Sequence, residues 1–65
     1  MKPECKLIGE NGNVFNLIAV VRRTLRDNEL DQELDAFDAD LKMIQESGGT
    51  YDDVLVLFTD YVDVV

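Results

Sequence analysis

The hydrophobic positions of this chain change period twice, and each change marks an element. Cys5-Lys6-Leu7-Ile8 is a short apolar-leaning run that stops at Gly9. The stretch Gly9-Glu10-Asn11-Gly12-Asn13 follows, and Asn-Gly is a strong turn signal because both residues tolerate positive φ. Val14-Phe15 can return as a second strand, so the pattern predicts a β-hairpin at about 5–8 and 13–15. From Phe15 the spacing becomes helical: Leu17, Ile18, Val21 and Leu25 make one apolar stripe, Asn13 or Asn16 can supply the N-cap oxygen, and the helix is expected to end near Asp27-Asn28. Asn28 then suits the N-cap of a second helix, with Glu29 and Asp31 in its first turn.

Leu30, Leu34, Phe37, Leu41 and Ile44 recur at spacings of 4, 3, 4 and 3, a seam of about two heptads. That is too short for a free-standing coiled coil, so the stripe is read as facing the first helix. Gly48 in the left-handed conformation ends the helix and Gly49 continues the turn. Thr50 and Asp53 form a near capping box, with Asp in place of the usual Glu. Tyr51, Val54, Leu55, Phe58, Tyr61 and Val62 then share one face of a third helix. The run Val54–Phe58 is rich enough in β-formers for a strand, but the cap and the i, i+3, i+4, i+7 pattern favour helix. Val56 and Leu57 fall off the stripe, where exposed apolar residues would serve an oligomer interface. The tail Tyr61–Val65 alternates and predicts a short C-terminal strand that closes a three-stranded sheet with the hairpin. The expected fold is α+β: one small domain over residues 1–65 in the order β-β-α-α-α-β.

Length changes the picture by limiting the core. A chain of 65 residues buries only about 60% of its unfolded surface, so it needs a supplement to its core. Cys5 is the only cysteine and histidine is absent, which removes an internal disulfide and a zinc site and leaves homo-oligomerisation. The opening MKPECKLIGENG has no apolar run suited to a secretory signal, and no segment approaches the ~18 apolar residues of a membrane span, so an intracellular, reducing location is expected.

Charge divides the chain. Residues 1–26 hold five cations against Glu4 and Glu10, a balance of +3, whereas residues 27–65 set Lys42 against twelve carboxylates, a balance of −11; together they give the net −8. So acidic a chain argues against nonspecific binding of nucleic-acid polymers, whose energy comes from cations displacing counterions. It can hold a compact anion where its cations gather, or present an acidic surface that imitates nucleic acid.

The residues argue against catalysis. No histidine is present to serve as the base of a triad, Cys5 reads as a small buried strand residue, and the carboxylates lack an apolar pocket to split their pKa values. A calcium loop is excluded because Asp38-Ala39-Asp40-Leu41-Lys42 places a lysine at the third ligand and no glycine follows. No cofactor or metal is expected.

The arginines carry the chemistry. Arg22 and Arg26 are i, i+4 and Arg23 and Arg26 are i, i+3, so they share the polar side of the first helix, while Ala19 leaves room for close approach. Guanidinium suits bidentate phosphate contact, and Asn16, Thr50 and Tyr51 can add an amide, a hydroxyl and an aromatic plane. The competing reading is structural: three arginines near a helix C-terminus are favoured by its dipole and can pair with the acidic second helix. On composition alone the structural reading is the stronger.

The layout CKLIGENGNVFNL…RRTL…ESGGTYDDVLVLFTDYVDV also resembles a widespread group of very small phage-encoded proteins. These share a C-K-L-x-G-x-x-G-N-x-F start, a G-x-Y-D-[DE] turn before a final helix, and a V-x-V tail. The group is similar to the phage sponge proteins that defeat anti-phage nucleotide signalling, the anti-CBASS kind in particular. The resemblance spans Cys5 to Val64 and implies a non-enzymatic homo-oligomer in the host cytoplasm that sequesters cyclic dinucleotides or related signals without cleaving them. Asn16, Arg22, Arg23, Arg26, Thr50 and Tyr51 are then the candidate ligand-binding residues. Two other classes stay open: an acidic inhibitor whose second helix mimics DNA through Asp31, Asp35 and Asp38, and a ligand-free oligomeric accessory protein.

Overall fold

The computed structural model describes residues 2–7, 9 and 12–65. Three helices dominate it: α1 (Val14–Asp27), α2 (Asp31–Glu46) and α3 (Tyr51–Tyr61), flanked by strands β1 (Glu4–Cys5) and β2 (Asp63–Val64). The two strands pair in parallel, Glu4 with Asp63 and Cys5 with Val64, so the sheet joins the two ends of the described chain. Asp63 N–H donates to the Pro3 carbonyl (2.9 Å), Val65 N–H to Cys5 (3.0 Å) and Leu7 N–H to Val65 (3.2 Å).

The hairpin expectation is corrected on this point. Val14 and Phe15 open α1 instead of returning as a strand, because the Asn13 side chain accepts the Phe15 N–H (2.9 Å) and nucleates a helix there. The remaining expected hairpin residues Ile8, Glu10 and Asn11 lie outside the described residues. The C-terminal strand forms as expected, in a two-stranded sheet rather than a three-stranded one.

In α1 the predicted stripe of Leu17, Ile18, Val21 and Leu25 is buried, and in α2 Phe37 and Leu41 are buried with Leu30, Leu34 and Ile44 packed against the core. The rings of Phe37 and Tyr61 meet edge to face (centroids 5.5 Å, 82°), and Phe37 lies against Phe58 at 6.0 Å and 32°. Cys5 is buried, its Sγ 3.4 Å from the Thr24 hydroxyl, which donates to the Val20 carbonyl (2.9 Å). Leu57, expected off the stripe, is buried as well, whereas Val56 is exposed. Helix α3 packs on α1, α2 and β2, so its buried arc centres on Val54, Leu57, Phe58 and Tyr61 and turns Tyr51 outward.

Both interhelical turns use one backbone device. At the end of α2, Gly48 (φ 76°) donates to Gln45 and Gly49 donates to Ile44 (2.8 Å), a Schellman turn. Gly49 must also be small, since a Cβ there would press on the Ile44 side chain and carbonyl. At the end of α1, Asn28 is the C-cap and not the N-cap of α2, which is Leu30. Here Glu29 takes the left-handed position (φ 58°) and donates to Arg26 (3.0 Å), while Leu30 donates to Leu25 (2.9 Å). The Asn28 side chain donates to the Thr24 carbonyl (2.7 Å), which spends on α1 the group expected to start α2.

The same conformation therefore carries a glycine at one turn and a glutamate at the other. A left-handed non-glycine costs roughly 1–2 kcal/mol, partly offset by the glycine's larger unfolded-state entropy. Denaturant unfolding is expected to show Glu29→Gly stabilised by up to about 1 kcal/mol and Gly48→Ala destabilised by about as much or more. Shifts of the same sign in the two variants would refute this account of the turns.

Candidate functional site

Helices α1 and α2 run antiparallel, which puts Arg22 opposite Asp38 and Phe15 opposite Gln45. Arg22 reaches Asp38 through two contacts, Nε to Oδ1 at 3.0 Å and a terminal nitrogen to Oδ2 at 3.2 Å. Both side chains are about half exposed (51% and 43%), so the fork adds orientation more than stability, ~0–1 kcal/mol. For Arg22, pairing with the acidic second helix is thus realised. Arg23 and Arg26 are exposed and make no ion pair among the described residues.

The other candidate residues divide between two places. Asn16 is half-buried on α1 and already engaged. Thr50 is the N-cap of α3: its hydroxyl oxygen accepts the Asp53 N–H (3.3 Å), and Asp53 accepts the Thr50 N–H (2.9 Å), completing the predicted capping box. The Tyr51 ring is exposed, and its hydroxyl donates to the Gly12 carbonyl (2.8 Å) across to the segment before α1. Thr50 and Tyr51 line a cleft of about 230 Å³ where α1 begins, α2 ends and α3 begins. Its other walls are Val14, Phe15, Ile18, Gln45, Gly49 and Val54, and among the described residues no charged side chain lines it.

Phe15 and Gln45 are the residues that sequence reasoning missed. Phe15 is 71% exposed, the most exposed of the large hydrophobic side chains among the described residues. With Phe15 in the helix rather than a strand, the spacing i, i+4, i+7, i+11 places Phe15, Ala19, Arg22 and Arg26 on one stripe. The aromatic end of that stripe opens the cleft, and Arg22 lies about 10 Å further along the axis. The arginines themselves stand outside the cleft.

A wider cleft of about 640 Å³ lies at the opposite end of α3, lined by Lys2, Pro3, Leu30, Glu33, Asp60, Tyr61 and Asp63. Three carboxylates face one ammonium there, and Lys2 is tied to the Thr59 carbonyl (2.7 Å), so the sign is wrong for an anion. Among the described residues no group of three or more Asp, Glu or Cys side chains is arranged to hold a metal ion, and no helix is long and apolar enough to cross a membrane.

Tyr61 beside this cleft donates its hydroxyl to Asp40 (2.6 Å). That hydrogen bond, with burial and the charges of Asp40 and Asp60, pushes the phenol from 10.0 up to about 12. The raised value favours the protonated folded form, a contribution present below 10.0 and lost as pH climbs through about 12. Near-ultraviolet titration of a Tyr51→Phe variant should place the remaining phenol near 12, and adding Asp40→Ala should return it toward 10.0. An unchanged midpoint would exclude the Asp40 contact as the cause.

No protein-family model matches the chain, and neither a curated protein nor a solved structure matches it.

Proposed function

We propose that this chain is a non-catalytic phage immune-evasion protein which, as a homo-oligomer in the host cytoplasm, binds and sequesters a cyclic dinucleotide or related signal. The observation that carries this reading is the α1 stripe, where Phe15, Ala19, Arg22 and Arg26 set an exposed aromatic ring and two cations in line on a chain of net charge −8. Arg23 flanks the stripe and, like Arg26, is free of ion pairs among the described residues. Guanidinium groups on α1 meet the phosphates, and Asn16, Thr50 and Tyr51 lie toward the end that meets a base. The resemblance of the sequence layout to the anti-CBASS sponge group points the same way. Self-association is supported by exposed Met43, Val56, Val64 and Val65, which are 40–67% accessible.

A second reading is favoured by α2, where Asp31, Glu33 and Asp35 are exposed without ion pairs among the described residues. On that reading the acidic helix imitates DNA for a host protein.

Calorimetry against a panel of cyclic dinucleotides, with chromatography of the recovered ligand, separates the two. Sequestration predicts saturable binding, ligand returned intact, and roughly tenfold or greater weakening by Arg23→Ala or Arg26→Ala, the loss expected for a charge-assisted hydrogen bond. Binding by no signal nucleotide overturns it. The mimic predicts instead that charge reversal at Asp31, Asp35 and Asp38 abolishes activity while the arginine changes do not.

A further inference from the structure

We propose that the cleft at the start of α1 and α3 is a base-binding subsite that takes a single purine ring system against Phe15 and Tyr51, with Gln45 meeting its polar edge. The inference deepens the sequestration reading and rests on it for the rest of the ligand.

Four observations converge on a flat, neutral, heteroaromatic occupant. First, two aromatic rings line one small cleft and neither serves the core: Phe15 is 71% and Tyr51 45% exposed, whereas the ring contacts of the fold join Phe37 to Phe58 and to Tyr61. Exposed aromatic faces in a concave site are the surfaces on which bases stack. Second, the Tyr51 hydroxyl is fixed to Gly12, so its ring is positioned before a ligand arrives and little side-chain freedom is lost on binding. Third, the polar equipment is neutral: the Gln45 amide stands beside the hydroxyls of Thr50, which caps α3, and Tyr51, which is bound to Gly12. Gln45 offers a donor and an acceptor together, the pairing that a base edge presents, and among the described residues no charged side chain lines the cleft. Fourth, the volume of about 230 Å³ falls below the roughly 300–1,000 Å³ of a site that encloses a whole drug-sized ligand, so the cleft suits one ring system and not a complete nucleotide. The phosphates then lie outside it, along the α1 stripe toward Arg22 and Arg26.

The test uses the full chain, ¹⁵N-labelled, titrated by NMR with adenosine and guanosine. These nucleosides carry no phosphate and report on the cleft alone. Saturable shifts at Phe15, Gln45, Gly49 and Tyr51 are expected. Phe15→Ala and Tyr51→Ala should weaken nucleoside binding about tenfold or more, while Phe15→Tyr should retain it and Tyr51→Phe, which keeps the ring but loses its anchor on Gly12, should weaken it by less than Tyr51→Ala. Nucleosides that leave these amides unmoved, or a Phe15→Ala variant that binds as well as the parent, overturn the subsite. So does nucleoside binding that weakens as the chain self-associates, which would make a second copy of the chain the occupant of the cleft. The two proposals fail separately. Arginine-dependent binding of a cyclic dinucleotide that ignores Phe15→Ala rejects the subsite and leaves sequestration standing; nucleoside binding in the cleft with no affinity for any cyclic dinucleotide does the reverse.

Discussion

The burial of Phe37 is the packing event on which the three helices depend. Its ring is fully buried and lies against Phe58 and edge-on to Tyr61 of α3, while the helix that carries it also packs on α1. A chain of 65 residues has a total stability of only about 3–10 kcal/mol, and burying one phenylalanine contributes about 1.5–3 of that. The helix that provides this residue is also the most acidic in the chain, with Asp31, Glu33, Asp35, Asp38, Asp40 and Glu46 around its other faces. One element therefore serves as core and as charged surface. The division is sharp because the seam Leu30-Leu34-Phe37-Leu41-Ile44 keeps helical period throughout.

The parts of the fold that were legible in the sequence are those fixed by local chemistry. The stripe of α1, the seam of α2, the left-handed Gly48 and the Thr50–Asp53 box each need only a few neighbouring residues, and each forms as read. The failures arise where two local meanings compete. Asn28 can start a helix or finish one, and its side chain settles on the Thr24 carbonyl behind it. Residues 13–15 can return as a strand or open a helix, and they open the helix, with Asn13 as the N-cap that was one of the two expected. Leu57 is decided by three neighbours of α3 at once, which no single-helix pattern contains. The pairing of β1 with β2 joins residues from opposite ends of the described chain in parallel, so only the strand character of the tail could be read beforehand.

The same logic governs the candidate site. Thr50 and Tyr51 were visible because the capping box fixes where α3 begins. Phe15 was hidden, since a residue assigned to a hairpin carries no helical phase and cannot be aligned with Arg22 and Arg26. Moving the start of α1 back to Val14 supplies that phase, and the cationic cluster becomes the far end of a stripe that begins with an aromatic ring. Arg22 is a composite case. It pairs with the acidic helix, as the structural reading held, and it keeps its place on the α1 stripe between Ala19 and Arg26.

Placement on a helix gives the proposed site both its strength and its incompleteness. Helical rise fixes Phe15 and Arg22 about 10 Å apart, so the chain itself needs no rearrangement to present them together. The surface they share is convex, however, and Phe15 remains 71% exposed. A ligand laid along it would be covered on one side only, and binding that withdraws a signal from solution requires most of the ligand's surface to be buried. Among the described residues no element folds over the open side. On the sequestration reading, the missing wall must come from another copy, so oligomerisation would complete the site as well as supplement a small core.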